Sequence, residues 1–151
     1  MAKIRITKEF NFEMAHALWN YNGICRNIHG HSYKLLVTII GEPTSDKENP
    51  KNGMLLDFSE LKALVKTGVI DYYDHSLILS KNSPSELLNN VKQIFEKFYI
   101  VDFQPTCEFL VLDIVQKISE KLPPELKLYS IRLNETATAY AEWYSSDNEM
   151  I

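Results

Sequence analysis

The stretch HGHSYKLLVTIIG, residues 29–41, constrains the fold more than any other part of the chain. Its alternate positions form a single row of His29, His31, Tyr33, Leu35, Val37 and Ile39. Side chains along a strand point to opposite faces in turn, so this pattern is a strand with one face against a core. The earlier segment FNFEMAH repeats it, with Phe10, Phe12, Met14 and His16 on one face and Asn11, Glu13 and Ala15 on the other. Two half-buried strands, joined by the turn-rich NYNGICRN, thus carry three of the four histidines at the ends of apolar rows. Gly30, between two of them, is a place for the backbone to bend or approach another group closely.

The remaining elements are read around these strands. The polar segment EPTSDKENPKNG connects two strands, with MLLDF expected as the second. DFSELKALVKTGVI has helical spacing, an Asp57/Glu60 capping pattern, and Leu61, Leu64 and Val65 turned inward. SPSELLNNVKQIFEKF predicts a second helix, with a Ser83/Glu86 capping box around Pro84 and an apolar stripe of Leu87, Leu88, Val91, Ile94, Phe95 and Phe98. YIVDF is a short strand. TCEFLVLDIVQKISEKL is a third helix, N-capped by Thr106 and burying Leu110, Val111, Ile114, Val115 and Ile118, with Pro123 and Pro124 ending it. KLYSIRLNETATAYAEWYS is a hairpin that turns near Asn134 to Ala137. With no repeat and no linker, residues 1–151 read as one α+β domain: an antiparallel sheet with helices packed on one face.

Composition narrows the partners. A formal charge of -4 argues against a nucleic-acid surface, which must neutralise phosphates. No apolar run is long enough to span a membrane, and MAKIRITKEF lacks the apolar core of a signal peptide. Cys25 and Cys107 do not make a disulfide framework, so the expectation is a cytoplasmic protein with reduced thiols.

The chemistry gathers at five places. His29-x-His31 puts two imidazoles on one strand face, and His16 at the end of a neighbouring strand completes a facial set of three around one ion. A chance cluster of hydrogen-bonded or solvated histidines has the same spacing. For Cys25 the spacing leaves three roles open: fourth ligand of a closed structural site, thiolate beside an open metal, or inert buried thiol. Cys107, in a first helical turn with no histidine near it in sequence, reads as inert. Asp74-His75 is a proton-transfer pair or part of a surface loop; neighbours on an extended segment diverge, so the pair is mutual only where the backbone turns. Glu135 shares the inward parity of Ile131 and Leu133. A solvated turn carboxylate is the plain reading, while an inward one requires a partner such as the amino-pyrimidinone edge of a pterin or guanine.

Taken in order, FNFEMAHAL, CRNIHGHSYKLLVTIIGE, NGMLLDFSELK, DHSLIL, PTCEFLVLDI and ETATAYAEW resemble the 6-pyruvoyltetrahydropterin synthase / 6-carboxytetrahydropterin synthase family over nearly the whole chain. The resemblance implies the tunnelling fold (T-fold), in which subunits join their sheets into a barrel and two rings stack. A homo-oligomer follows, a hexamer built as a dimer of trimers, with active sites at subunit boundaries. His16, His29 and His31 match the family's Zn2+ ligands, Cys25 its catalytic cysteine, and Asp74 and His75 the rest of its catalytic set. Glu135 matches the glutamate that anchors the pterin, and Thr106 and Glu108 match a T-x-E segment lining the pocket.

Three residues separate Cys25 from His29, as in the carboxytetrahydropterin branch that feeds queuosine synthesis; the pyruvoyl branch typically has a longer gap. The implied activity is a zinc-dependent lyase turning 7,8-dihydroneopterin triphosphate into 6-carboxy-5,6,7,8-tetrahydropterin, acetaldehyde and triphosphate. The alternatives are a 6-pyruvoyltetrahydropterin synthase and a non-catalytic oligomeric scaffold with structural zinc. A further branch carries glutamate in place of the cysteine, and Cys25 speaks against it. Two departures stand out. Ala17 occupies a position where many relatives have arginine, and the segment around 80–104 is longer than in compact members.

Overall fold

A computed structural model describes residues 2–148. At its centre β1 (Ile4–His16) and β2 (His29–Gly41) pair antiparallel from Ile4 opposite Gly41 to His16 opposite His29. Both alternating rows therefore share one face, and Phe12, Met14, Tyr33, Leu35, Val37 and Ile39 are all buried. β5 (Lys127–Asn134) continues the sheet beside β2, and β6 (Tyr140–Tyr144) pairs with β5. The hairpin loop spans 135–139, closed by Glu135 N–H donating to the Ala139 carbonyl at 3.1 Å, so it reaches two residues beyond the predicted turn.

Two strands make the sheet mixed where an antiparallel one was expected. β3 (Ser76–Ser80) lies parallel to β1, and β4 (Phe98–Val101) lies parallel to β3, giving the order β4-β3-β1-β2-β5-β6. SLILS is too short to declare its period, and its parallel partner is far away in sequence, so local pattern did not mark it as a strand. Conversely, MLLDF forms no strand. Leu55 and Leu56 pack on the main core from an irregular segment. That segment is tied back by Gly53 N–H to Thr44 O (2.8 Å) and Thr44 N–H to Met54 O (3.0 Å).

α1 (Phe58–Val65) starts as predicted, its cap Asp57 accepting from Ser59 N–H at 2.7 Å. It runs on through a π turn (Lys66–Ile70) into α2 (Asp71–Tyr73). α4 (Cys107–Ser119) starts on the expected cap, with Thr106 Oγ1 accepting from Phe109 N–H. α1 and α4 cover the apolar face of the sheet: Leu61, Val65, Leu110, Ile114 and Ile118 meet Ile131 and Leu133 there, all essentially without exposure. Burying side chains of this size is worth about 1.5–3 kcal/mol each.

α3 (Ser85–Ile94) departs from its sequence reading. The Ser83/Glu86 capping box does not form: Pro84 holds the cap position without a side-chain bond, and Ser83 N–H goes to Ser80 O. The helix ends at Ile94 because Phe98 belongs to β4. Only Leu88 and Val91 of its predicted stripe are buried, while Ile94 and Phe95 are 70% and 56% exposed. Along β3, Ile78 faces the main core, whereas Leu79 joins Ala17 and Leu88 in a small second cluster, with Leu77 and Leu87 packed on it. Residue 17 is thus roofed by α3, and an arginine there would displace this packing. The two departures noted in the sequence are one structural feature.

Candidate active site

The site begins at the open end of the β1–β2 ladder. His16 sits opposite His29, and His31 lies one strand repeat further on the same face. The three ring centroids are 4.7, 4.9 and 5.2 Å apart, and one ligand nitrogen from each ring lies within 4.8 Å of the others. Backbone carbonyls orient two of the rings. His16 Nδ1–H donates to Pro105 O and His29 Nδ1–H to Asn27 O, both at 2.7 Å. That fixes the tautomer and leaves each Nε2 with a free lone pair. Among the described residues, these two buried Nε2 atoms have no hydrogen-bond partner. Buried polar atoms rarely go unpaired, and a nitrogen-ligated cation satisfies both at once. Burial holds His16 below the usual imidazole pKa, which keeps it in the neutral, ligating form. The three histidines would fit a nitrogen-ligated ion such as zinc, and Cys25 is not a member of this group.

Cys25 instead lines a cavity of about 350 Å³ together with His16, Thr106, Cys107, Glu108 and Glu135. It rides on a 3-10 turn (Ile24–Arg26) pinned to the end of β1 by Leu18 N–H to Cys25 O at 2.9 Å. Gly23 ahead of the turn lies under the exposed ring of Tyr21, whose Cε1 would be 2.4 Å from a Cβ placed there, so a side chain at 23 would push that ring aside. Gly30 has no such role. A Cβ on it would meet Met14 O at an ordinary 3.4 Å, and the backbone runs through it as regular strand.

Glu135 points inward, as its parity suggested. Its Oε1 accepts from the Tyr33 hydroxyl at 3.4 Å and lies 3.8 and 3.9 Å from Nε2 of His16 and His31. Tyr33 is the residue that sequence reasoning undervalued. It is buried between Phe12, stacked at 5.1 Å, and the histidine rings. Burial, and next the Glu135 charge, push its hydroxyl pKa far up, so it stays a donor to that carboxylate. Its place in the His29–Ile39 row was the available signal. Cys107 lines the cavity too; burial raises its pKa to about 11 and its S–H donates to Leu133 O at 3.4 Å, both of which disfavour the thiolate.

Asp74 and His75 do grip each other, Oδ2 to Nδ1 at 2.9 Å, because the backbone turns between them. His75 takes the left-handed conformation with φ 58, and Asp74 Oδ1 accepts from Glu13 N–H at 2.9 Å. For Asp74 the largest influence is burial, which raises its pKa. The bonds from Glu13 N–H and His75, with the charges of His75 and Lys97, outweigh it and hold the carboxyl below its usual range. His75 is well exposed and lines a different space, an open groove of about 620 Å³ that also contains His31, Phe95 and Lys97. Groove and cavity share no lining residue, so within one chain His75 and Cys25 are not brought together.

A family model for 6-pyruvoyl tetrahydropterin synthase matches residues 5–146. The chain belongs to this family, whose enzymes are lyases. Among its relatives, the 6-carboxy-5,6,7,8-tetrahydropterin synthase of Haemophilus influenzae is 37% identical, over 92% of this chain and 97% of that one. The enzyme of the same name from Aquifex aeolicus is 33% identical, over 93% and 98%. In fold, the chain matches an uncharacterized protein from Wolinella succinogenes with a TM-score of 0.74 at 21% identity, covering 95% of this chain and 99% of the other. The 6-pyruvoyl tetrahydropterin synthase of Caenorhabditis elegans matches with a TM-score of 0.67 at 22% identity, covering 95% and 96%. The architecture is the tunnelling fold. No helix among the described residues is long and apolar enough to cross a membrane.

Proposed function

We propose that the protein is a zinc-dependent 6-carboxy-5,6,7,8-tetrahydropterin synthase of the queuosine (7-deazapurine) branch, taking 7,8-dihydroneopterin triphosphate to 6-carboxytetrahydropterin, acetaldehyde and triphosphate. The observation that carries this reading is the pair of buried Nε2 atoms of His16 and His29 without a hydrogen-bond partner, converging with His31 beside a cavity that holds Cys25 and Glu135. The 37% identity to a synthase of that name supports the branch.

Zinc on His16, His29 and His31 would act as a Lewis acid, lowering the pKa of side-chain hydroxyls and stabilising negative charge that develops beside them. The protein's own groups do the rest. Glu135, with its Oε1 steadied by the Tyr33 hydroxyl, receives the ring's adjacent N–H donors, and Thr106 and Glu108 border the same cavity. That fixes the substrate side chain at the histidine end, where orientation is worth several orders of magnitude in rate. Cys25 as thiolate removes the carbon-bound proton. His75, held by Asp74, moves protons on the hydroxyl side as the two-carbon fragment leaves. Because His75 and Cys25 line separate spaces in one chain, the working site combines Cys25 of one subunit with Asp74 and His75 of another, which requires a homo-oligomer; a hexamer is the expected form. The two free thiols suit a reducing cytoplasm.

The test is product identity. Zinc-loaded protein is incubated anaerobically with 7,8-dihydroneopterin triphosphate, the pterins are identified by mass spectrometry, and acetaldehyde is assayed separately. Carboxytetrahydropterin with acetaldehyde supports the proposal. Pyruvoyltetrahydropterin without acetaldehyde assigns the same site to the pyruvoyl branch. Unchanged substrate from folded, zinc-bearing protein overturns the substrate and leaves a metal-binding scaffold.

A further inference from the structure

We infer that Lys97 is a positioning residue for the Asp74–His75 pair, supplied by the 80–104 segment. The peptide that links Asp74 to His75 is captured at both ends. Its N–H, on His75, donates to Glu13 O at 2.6 Å, and its C=O, on Asp74, accepts from the Lys97 ammonium. Rotation of this peptide plane is what carries ψ of Asp74, here 128, and φ of His75, here 58. A positive φ is disfavoured for any residue with a β-carbon and persists where the surroundings dictate it. With both polar ends held, the plane cannot flip, and the imidazole stays within 2.9 Å of the Asp74 carboxylate.

The anchor is itself anchored. Lys97 O accepts from Leu77 N–H at 3.0 Å, and β4 follows at once in parallel register with β3. Lys97 therefore reaches the corner from a fixed point, whereas a lysine on a loose loop would lose most of this bond to side-chain entropy. The same segment contributes Leu88, which covers Ala17. The stretch that removes room for a cation at 17 thus brings one to the pair at 97. A role in holding the substrate's phosphates is less favoured, because Glu13 and Glu96 line the groove beside Lys97 and offset its charge.

The inference rests on the proposed activity for its catalytic readout, so the experiment has a second arm that needs no turnover. Lys97→Met keeps the aliphatic stem and removes the donor; Lys97→Arg restores a donor. The expected result for Lys97→Met is a fall in kcat of about 10–100-fold, the scale of a misplaced catalytic group. KM should stay within about twofold, with zinc content and melting temperature close to the parent's, and Lys97→Arg should recover most of the rate. Hydrogen exchange read at the His75 amide should quicken in Lys97→Met and return toward the parent rate in Lys97→Arg. An unchanged kcat, a loss confined to KM, an arginine variant as slow as the methionine one, or unaltered His75 exchange each overturns the assignment. If the parent protein itself leaves the pterin untouched, the proposed function fails and the exchange arm alone decides the role of Lys97.

Discussion

The two ends of the candidate catalytic set are built differently. The histidine cluster stands on the central β1–β2 ladder, in continuous register from Ile4 to His16, with two of its three rings tied to backbone carbonyls. The Asp74–His75 corner stands at the start of a short edge unit, where β3 pairs with β1 over three residues only and its helix α3 leaves Ile94 and Phe95 largely in solvent. Metal ligation requires lone pairs fixed at one point, which a long ladder provides. A carboxylate–imidazole pair can sit on a lighter scaffold, provided local bonds such as those from Glu13 and Lys97 hold its geometry.

The contrast is broken most severely at the ladder. His29→Ala should strip the zinc and abolish turnover while the fold survives, checked by metal analysis, circular dichroism and the product assay together. Cys25→Ala separates the metal from the chemistry. Turnover should drop by about 10²–10⁴, the usual worth of a positioned base, with zinc retained at the parent stoichiometry. Loss of the metal in that variant would falsify the open-site reading and make Cys25 a ligand.

Stability should show the same asymmetry. Ile131→Ala, in the sealed core, should cost about 4 kcal/mol in urea unfolding, whereas Leu88→Ala, in the small cluster over Ala17, should cost about 2 kcal/mol, because an edge site relaxes and hydrates more easily. Equal losses would mean that the edge unit is as tightly built as the centre. Thr106→Ala removes the cap of α4 and should cost about 1 kcal/mol.

The smallest effect is a pH dependence at the corner. The folded state holds the Asp74 carboxyl below its usual range, so its contribution is present above the unfolded carboxylate pKa and is lost as pH falls through the lower folded value. Asp74→Asn should therefore be slightly less stable than the parent at neutral pH and converge with it under acid, since the side chain is more than a third exposed and solvent screens it. Parallel acid-denaturation curves for the two proteins would deny Asp74 that role.

Much of the site was legible because it lies on strands. Period-two alternation marks which residues share a face, so His16, His29, His31 and the inward parity of Glu135 could be read from spacing. The caps Asp57 and Thr106 were legible for a similar reason: the bond each makes spans only two or three residues. The errors fall where a partner distant in sequence decides the outcome. SLILS becomes a strand because β1 offers an edge, and MLLDF does not because Leu55 packs over Gly41 outside the sheet. The Ser83/Glu86 box was a valid local option that did not form; Ser83 N–H bonds to Ser80 O, and Pro84 takes the cap position.

Sequence by itself determined the class of the domain, the rows that face its core, the three histidines that share one face and the resemblance that suggested their chemistry. These follow from residue type and short-range period, which a chain carries before it folds. The tertiary structure decided which nitrogen of His16 and His29 is free to bind, through carbonyls at Pro105 and Asn27. It also decided that Cys25 and His75 line different spaces, and that Ala17 and Lys97 belong to one feature. Those outcomes depend on groups up to about ninety residues apart meeting in space, as Pro105 and His16 do. No local pattern encodes such meetings; they exist only once the sheet has closed its register and the helices have packed on it.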